Sequence, residues 1–193
     1  MGVGAIKPGA GKTKGAAYER AVGKILSNWL TCGNRGDLFS RNVLSGGKFT
    51  ISRKAGKREG VSGDLMATHA VSFRLLALLS IEIKHYANLG WEPFFYDRKR
   101  KSFIWQTITH TKDQAEHAGL HWLIIAKQNM KPPLAIMSIA LADIAIEHMR
   151  SLHGLRKHVL HNGAAVVIDL NSFLQVKPKA FMRALEERKR RGP

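Results

Sequence analysis

Cysteine is almost missing from this chain. Cys32 is the single thiol in 193 residues, which excludes an intrachain disulfide and any zinc centre built on thiolates. Its plainest role is that of a small, partly buried apolar residue near a helix end. Long hydrophobic runs are missing too: no stretch of 18 uncharged apolar residues occurs, and the opening MGVGAIKPGAGKTKG has no apolar centre. Neither a membrane span nor a signal peptide is expected, and the expectation is a soluble, cytoplasmic protein. No internal repeat is present, and only the two ends are low in complexity. Acidic residues are scarce, 14 Asp and Glu against 31 Lys and Arg, giving a net charge of +17 and a pI near 10.4. Such a charge repels itself in the folded state, so a polyanionic partner is the simplest reason to carry it. Nucleic acid is favoured over an anionic membrane surface, because no long basic amphipathic helix stands out.

At 45% hydrophobic and 23% charged, the chain has enough apolar residues for one compact domain. Residues Gly9 to Thr13 read GAGKT, but a phosphate-binding loop would need a glycine where Ile6 stands, and no hydrophobic strand precedes it. Nucleotide hydrolysis by that route is excluded, and residues 1–13 are expected to be a flexible basic arm. From Ala16 to Leu30, Tyr18, Ala21, Val22, Ile25, Leu26, Trp29 and Leu30 recur at helical spacing, which predicts an amphipathic helix. Glu19 and Arg20 fall in its first turn, where a carboxylate is favoured by the helix dipole alone. Asp37 to Leu44 reads as a strand. The glycine-bounded GGKFTISRKAGKREG that follows crowds Lys48, Arg53, Lys54, Lys57 and Arg58 into a segment too polar for a core, expected to be a loop or hairpin lying along phosphates.

The stretch Ser62 to Tyr86 organises the rest. Its two apolar runs, joined near His69 to Arg74, read as an antiparallel hairpin with Asp64 in the first strand and Glu82-Ile83-Lys84 in the second. Period-2 alternation sends Glu82 and Lys84 to one face and Ile81, Ile83 and His85 to the other, so Asp64 is expected opposite Glu82. Two carboxylates side by side repel unless a cation lies between them, and hard oxygen ligands suit Mg²⁺ or Mn²⁺. The bland alternative is a solvated acid-x-lysine face.

Beyond the hairpin, YANLGWEPFFYDRKRK runs Trp91, Phe94, Phe95 and Tyr96 directly into Arg98, Lys99, Arg100 and Lys101. Aromatics beside cations suit stacking on unpaired bases, and they suit a dimer interface or core packing equally well. Phe103 to Gly119 predicts a second core helix ending on its glycine, with Gln106 and Gln114 as possible polar contacts, and His121 to Lys127 a buried strand. After Pro132-Pro133 the pattern gives a strand over 134–139, a helix over 140–150, a strand over 164–170 and a basic terminal helix over 178–191. His148, His153, His158 and His161 lack the partners and spacing of a zinc site.

Lys14 to Arg20, KGAAYER, is similar to the opening of the archaeal and phage Holliday junction resolvases, a PD-(D/E)XK nuclease family. In that family a K-G-x-x-x-E-R helix start precedes an arginine on a strand, a Ser-Gly loop, the metal-binding aspartate and then E-x-K. Here Lys14, Gly15, Glu19, Arg20, Arg41, Ser45-Gly46, Asp64, Glu82 and Lys84 follow in that order, with a long basic loop inserted before Asp64 and Gly63 where the family's proline usually stands. The resemblance, which covers about Lys14 to Lys127, implies an α/β (α+β) restriction-endonuclease-like fold with a mixed central sheet flanked by helices. It implies a nuclease core over 14–128, leaving 129–193 as an extension packed on the same domain. It also implies a homodimer acting on branched DNA in recombination and repair, in the host cytoplasm if phage-encoded. Asp64, Glu82 and the Ile83 carbonyl are then expected to bind Mg²⁺ or Mn²⁺, with Glu19 holding a second metal or its water. Lys84 would act on the attacking water, while Lys14, Arg20, Arg41 and Ser45 join the basic loops against DNA. Two other classes stay open: a nuclease of the same fold for duplex, flap or single-stranded DNA, and a non-enzymatic nucleic-acid-binding protein.

Overall fold

The computed structural model describes residues 10–42, 63–88, 102–153, 155–160 and 164–191. The serine of the expected Ser-Gly loop at 45, the basic segment 48–58 and the aromatic-basic segment 91–101 lie outside them. Helix α1 (Ala10–Leu30) begins six residues before the expected Ala16, so GAGKT ends inside a helix rather than in an arm or a loop. Its apolar stripe is buried as the spacing demands, at Val22, Leu26, Trp29 and Leu30. Cys32 and Gly33 then turn the chain with positive φ, and the Gly33 amide donates to the Asn28 carbonyl at 2.7 Å, closing the last turn.

β1 (Phe39–Arg41), shorter than the expected 37–44, pairs antiparallel with β2 (Leu65–Ala67), Phe39 facing Ala67 and Arg41 facing Leu65. The buried Ser27 hydroxyl ties this ribbon to α1, accepting from the Leu38 amide at 3.0 Å and donating to the Gly23 carbonyl at 2.7 Å. The expected hairpin over 62–86 does not form. Ala70–Leu76 is a helix, α2, between β2 and the long strand β3 (Leu79–Tyr86). Within it Val71 and Leu75 repeat at i, i+4 and pack on the core, and Ser72 closes the first turn through a bond from the His69 amide at 3.2 Å. A short and a long strand with an apolar helix between them resemble a hairpin when the apolar run alone is counted. The segment before β2 still reaches β3, because Gly63 bridges Ile81 in parallel.

Helix α3 (Phe103–Ala118), capped by Gly119 in the left-handed region, leads to β4 (His121–Gln128), which lies parallel to β3 with Glu82 beside Ile124 and Lys84 beside Ala126. Then β5 (Leu134–Met137), α4 (Ile139–Glu147), β6 (His158–Leu160), β7 (Ala165–Asp169), the short α5 (Leu170–Phe173) and α6 (Pro178–Arg191) complete the chain. β6 and α5 had no counterpart in the sequence pattern. The mixed sheet runs β3-β4-β5-β7-β6, with β5, β6 and β7 antiparallel to their neighbours. One face packs on α1, α2, α4, α5 and α6 through Leu79, Ile81, Ile83, Leu123, Ile125 and Met137. Ile124, Ala126, Ile136 and Val167 pack the other face on α3. Because β4 is covered on both sides, it reads as an unbroken apolar run. This is the mixed α/β sheet flanked by helices that the resemblance implies. Among the described residues no helix is long and apolar enough to cross a membrane.

Candidate active site

β3 is the outer strand of the five and carries Glu82 and Lys84. Its α1 face holds Leu79, Ile81 and Ile83 in the core, and its α3 face presents Glu82 and Lys84. Asp64 arrives from the far side of the same strand. Its amide donates to the Ile81 carbonyl and its carboxylate accepts from the Ile83 amide, both at 2.8 Å, so backbone bonds fix the carboxylate beside Glu82. The Asn42 amide donates to the Asp64 carbonyl at 2.8 Å, and the Asn42 side chain donates to the Gly63 carbonyl at 3.1 Å. Lys84 donates to Glu82 and stands 3.8 Å from Asp64.

Gly63 explains the departure from proline. Its φ is +98°, and a Cβ there would lie 2.4 Å from the Ile81 carbonyl oxygen. Proline is locked near φ −65° and cannot take that conformation. Glycine lets the backbone approach β3 closely enough to seat Asp64.

Burial and neighbouring charges oppose one another at this corner of β3. Burial and then the Asp64 charge push the Glu82 carboxyl above its ordinary value, against the opposing charges of Lys84 and His110. Burial works to lower the Lys84 ammonium, but the charges of Glu82 and Asp64 outweigh it and hold Lys84 above its ordinary value. The buried Asp64 carboxylate and the half-buried Glu82 carboxylate form a hard oxygen donor set that fits a divalent cation of the Mg²⁺ type. A ready-made cluster of three or more acidic, histidine or cysteine side chains does not form among the described residues.

Of the remaining expected site residues, Glu19 pairs with Arg41 on β1, next to the Asn42 contacts of Asp64, and is not grouped with the two carboxylates. Arg20 is exposed on α1, whereas Lys14 is half-buried and donates to Asn129. Gln114 hydrogen-bonds the His110 ring at 2.7 Å. Of the four C-terminal histidines, His148, His153 and His158 form no cluster among the described residues, and the one at 161 lies outside them. Two residues near the acids escaped the sequence reading. His110 acts on Glu82 from α3, and Tyr86 extends the Glu82, Lys84 row and packs edge-on against Phe103, ring centres 4.9 Å apart. The period-2 row could have revealed Tyr86; His110 required the docking of α3.

Asp, then Glu-x-Lys, on an outer strand of such a sheet defines the PD-(D/E)XK class of nuclease. The chain belongs to the family described as Phage putative PDDEXK endonuclease, which it matches over residues 10–183. Comparison with curated proteins and with solved structures gives no match.

Proposed function

We propose that the protein is a metal-dependent, structure-selective endodeoxyribonuclease that cuts four-way DNA junctions by paired phosphodiester hydrolysis, working as a homodimer. The convergence of Asp64, Glu82 and Lys84 carries the nuclease reading. The junction preference rests on the KGAAYER resemblance, on the Glu19–Arg41 pair beside Asp64, and on the net charge of +17. Asp64, Glu82 and the Ile83 carbonyl would hold Mg²⁺ or Mn²⁺, with Glu19 reaching a second ion or its water once freed from Arg41. The ion supplies positive charge at the reacting phosphate and an acidified water. Asp64, fixed by the Ile83 amide, sets where the phosphate lies along β3. Lys84 is then free to turn its ammonium from Glu82 toward the attacking water and the developing charge on the phosphate oxygens. Arg41, Lys14 and Arg20 face the phosphate backbone.

The test is cleavage of a labelled four-way junction beside a matched duplex with Mg²⁺, Mn²⁺ or EDTA. Paired symmetric nicks on the junction alone, lost with EDTA, are expected. Equal cutting of both substrates would remove the junction preference and leave a general nuclease, whereas binding without cutting would remove the enzyme. Junction affinity should also fall steeply with salt, because phosphate contacts release counterions.

A further inference from the structure

On the α1 face of β3, past the apolar residues, a second polar cluster closes over the strand end. His85 lies directly beside Lys127 in the parallel β3–β4 register. Two basic groups side by side on adjacent strands repel. The Tyr18 ring stacks at 4.9 Å from the His85 ring and lies 5.8 Å from the Lys127 ammonium. Lys14, one helical turn before Tyr18, donates to the Asn129 side-chain oxygen, and the Asn129 side chain also acts on the His85 ring. Among the described residues neither Lys14 nor Lys127 is paired with a carboxylate, and the nearest acid in sequence, Glu19, is engaged by Arg41. The Tyr18 hydroxyl and both His85 ring nitrogens are shielded from solvent and make no hydrogen bond. Buried polar groups without partners are costly, and here they stand beside two ammonium groups with no carboxylate to balance them.

The geometry points to a phosphate-binding seat formed by Lys14, Tyr18, His85, Lys127 and Asn129, which takes a phosphate group of the strand next to the scissile one. This rests on the nuclease reading only for the identity of the ligand. A phosphate offers several acceptor oxygens to the two ammonium groups, the tyrosine hydroxyl, the imidazole and the amide, and so satisfies the cluster. His85 follows Lys84 in the chain and points to the opposite face. The seat therefore grips the strand on one side of β3 while the carboxylates act on the other, which fixes where along the backbone the cut falls. The phosphate is either a diester within the strand or a monoester at its end.

Inorganic phosphate titrated into the metal-free protein, with the His85 ring signals followed by NMR and assigned from His85→Gln, tests the seat without any cleavage. A saturable shift is expected. It should persist in Asp64→Ala, so that failure of the nuclease reading leaves this result untouched. In Lys127→Gln and in the near-isosteric Tyr18→Phe the affinity should fall about tenfold, the loss expected for one charge-assisted hydrogen bond. Short DNA strands with a 5′-phosphate or a 5′-hydroxyl then separate the sources. A strong preference for the phosphorylated end assigns a monoester. Equal binding, with the salt slope reduced by about one in Lys127→Gln, assigns an internal diester. A His85 signal that phosphate does not move, or that moves equally in Lys127→Gln, overturns the proposal.

Discussion

The front of the molecule, α1 to β4, and the back, β5 to α6, are built on opposite rules. Every buried polar or charged residue among those described, from Ser27 to Thr111, belongs to the front, including Asp64 and Ser80. Among its described residues the back buries only apolar groups: Ala135, Ile136, Met137, Val166, Val167, Ile168, Phe173 and Phe181 are all at most 1% exposed. One half accepts the cost of burying polar groups to hold a site, and the other supplies apolar packing that offsets it. Damage should therefore separate, with the back failing in stability and the front failing in chemistry.

The largest effect on stability is expected at Phe173, packed on Trp29 at 5.6 Å and Phe181 at 6.0 Å. Phe173→Ala should cost about 3–5 kcal/mol in chemical denaturation, with activity per folded molecule unchanged. If Phe173→Ala folds normally but cuts poorly, the division between halves is wrong.

In the front, Asp64→Ala should lower junction cleavage at least a hundredfold, about 3 kcal/mol in barrier, while the denaturation midpoint and junction binding in a gel stay near the parent's. Lys84→Met sharpens the same contrast. A loss of roughly 10²–10⁴ in cleavage rate is expected for removing a positioned proton-transfer group, and an unchanged rate would take Lys84 out of the mechanism. Gly63→Ala is the deliberate exception, a front substitution that should damage both properties. The added Cβ meets the Ile81 carbonyl at 2.4 Å, so about 1–3 kcal/mol of stability should be lost, together with the seating of Asp64.

How far the sequence could be read follows the same division. Glu82 and Lys84 were legible as neighbours on one face because alternation on one strand is a local fact. Asp64 was placed beside them through a hairpin that does not form, and it reaches β3 instead through its bonds to Ile81 and Ile83. α3, β4 and α6 were legible from their apolar periods and the Gly119 stop. The hairpin reading failed where a three-residue strand and a seven-residue helix both bury apolar side chains, too short for the period to decide. Tyr18 was read as a plain member of an apolar stripe, and nothing in the spacing showed that its hydroxyl would be buried beside His85 and Lys127. Contacts of that kind depend on the register of β3 with β4, which no local pattern specifies.

The smallest expected effect joins the halves at the start of β4. Burial first, and then the charges of Arg188 and Lys189 on α6, hold the His121 imidazole below its ordinary value of 6.5. With the folded value lowered, the unfolded chain binds the proton more tightly. The contribution of His121 is thus complete above pH 6.5 and is lost as pH falls from there through the lowered value. His121→Gln should flatten that part of the stability-pH curve, and an identical slope in both proteins would remove His121 as its source.

The most direct test of the central claim is a calorimetric titration of Mn²⁺ into the parent and into Asp64→Ala, with junction cleavage followed in the same samples. Saturable binding and cutting in the parent, both lost in the folded variant, are the predicted result. Equal Mn²⁺ binding in the two proteins, or cutting that survives in Asp64→Ala, would contradict the assignment of Asp64 and Glu82 as the metal-binding carboxylates.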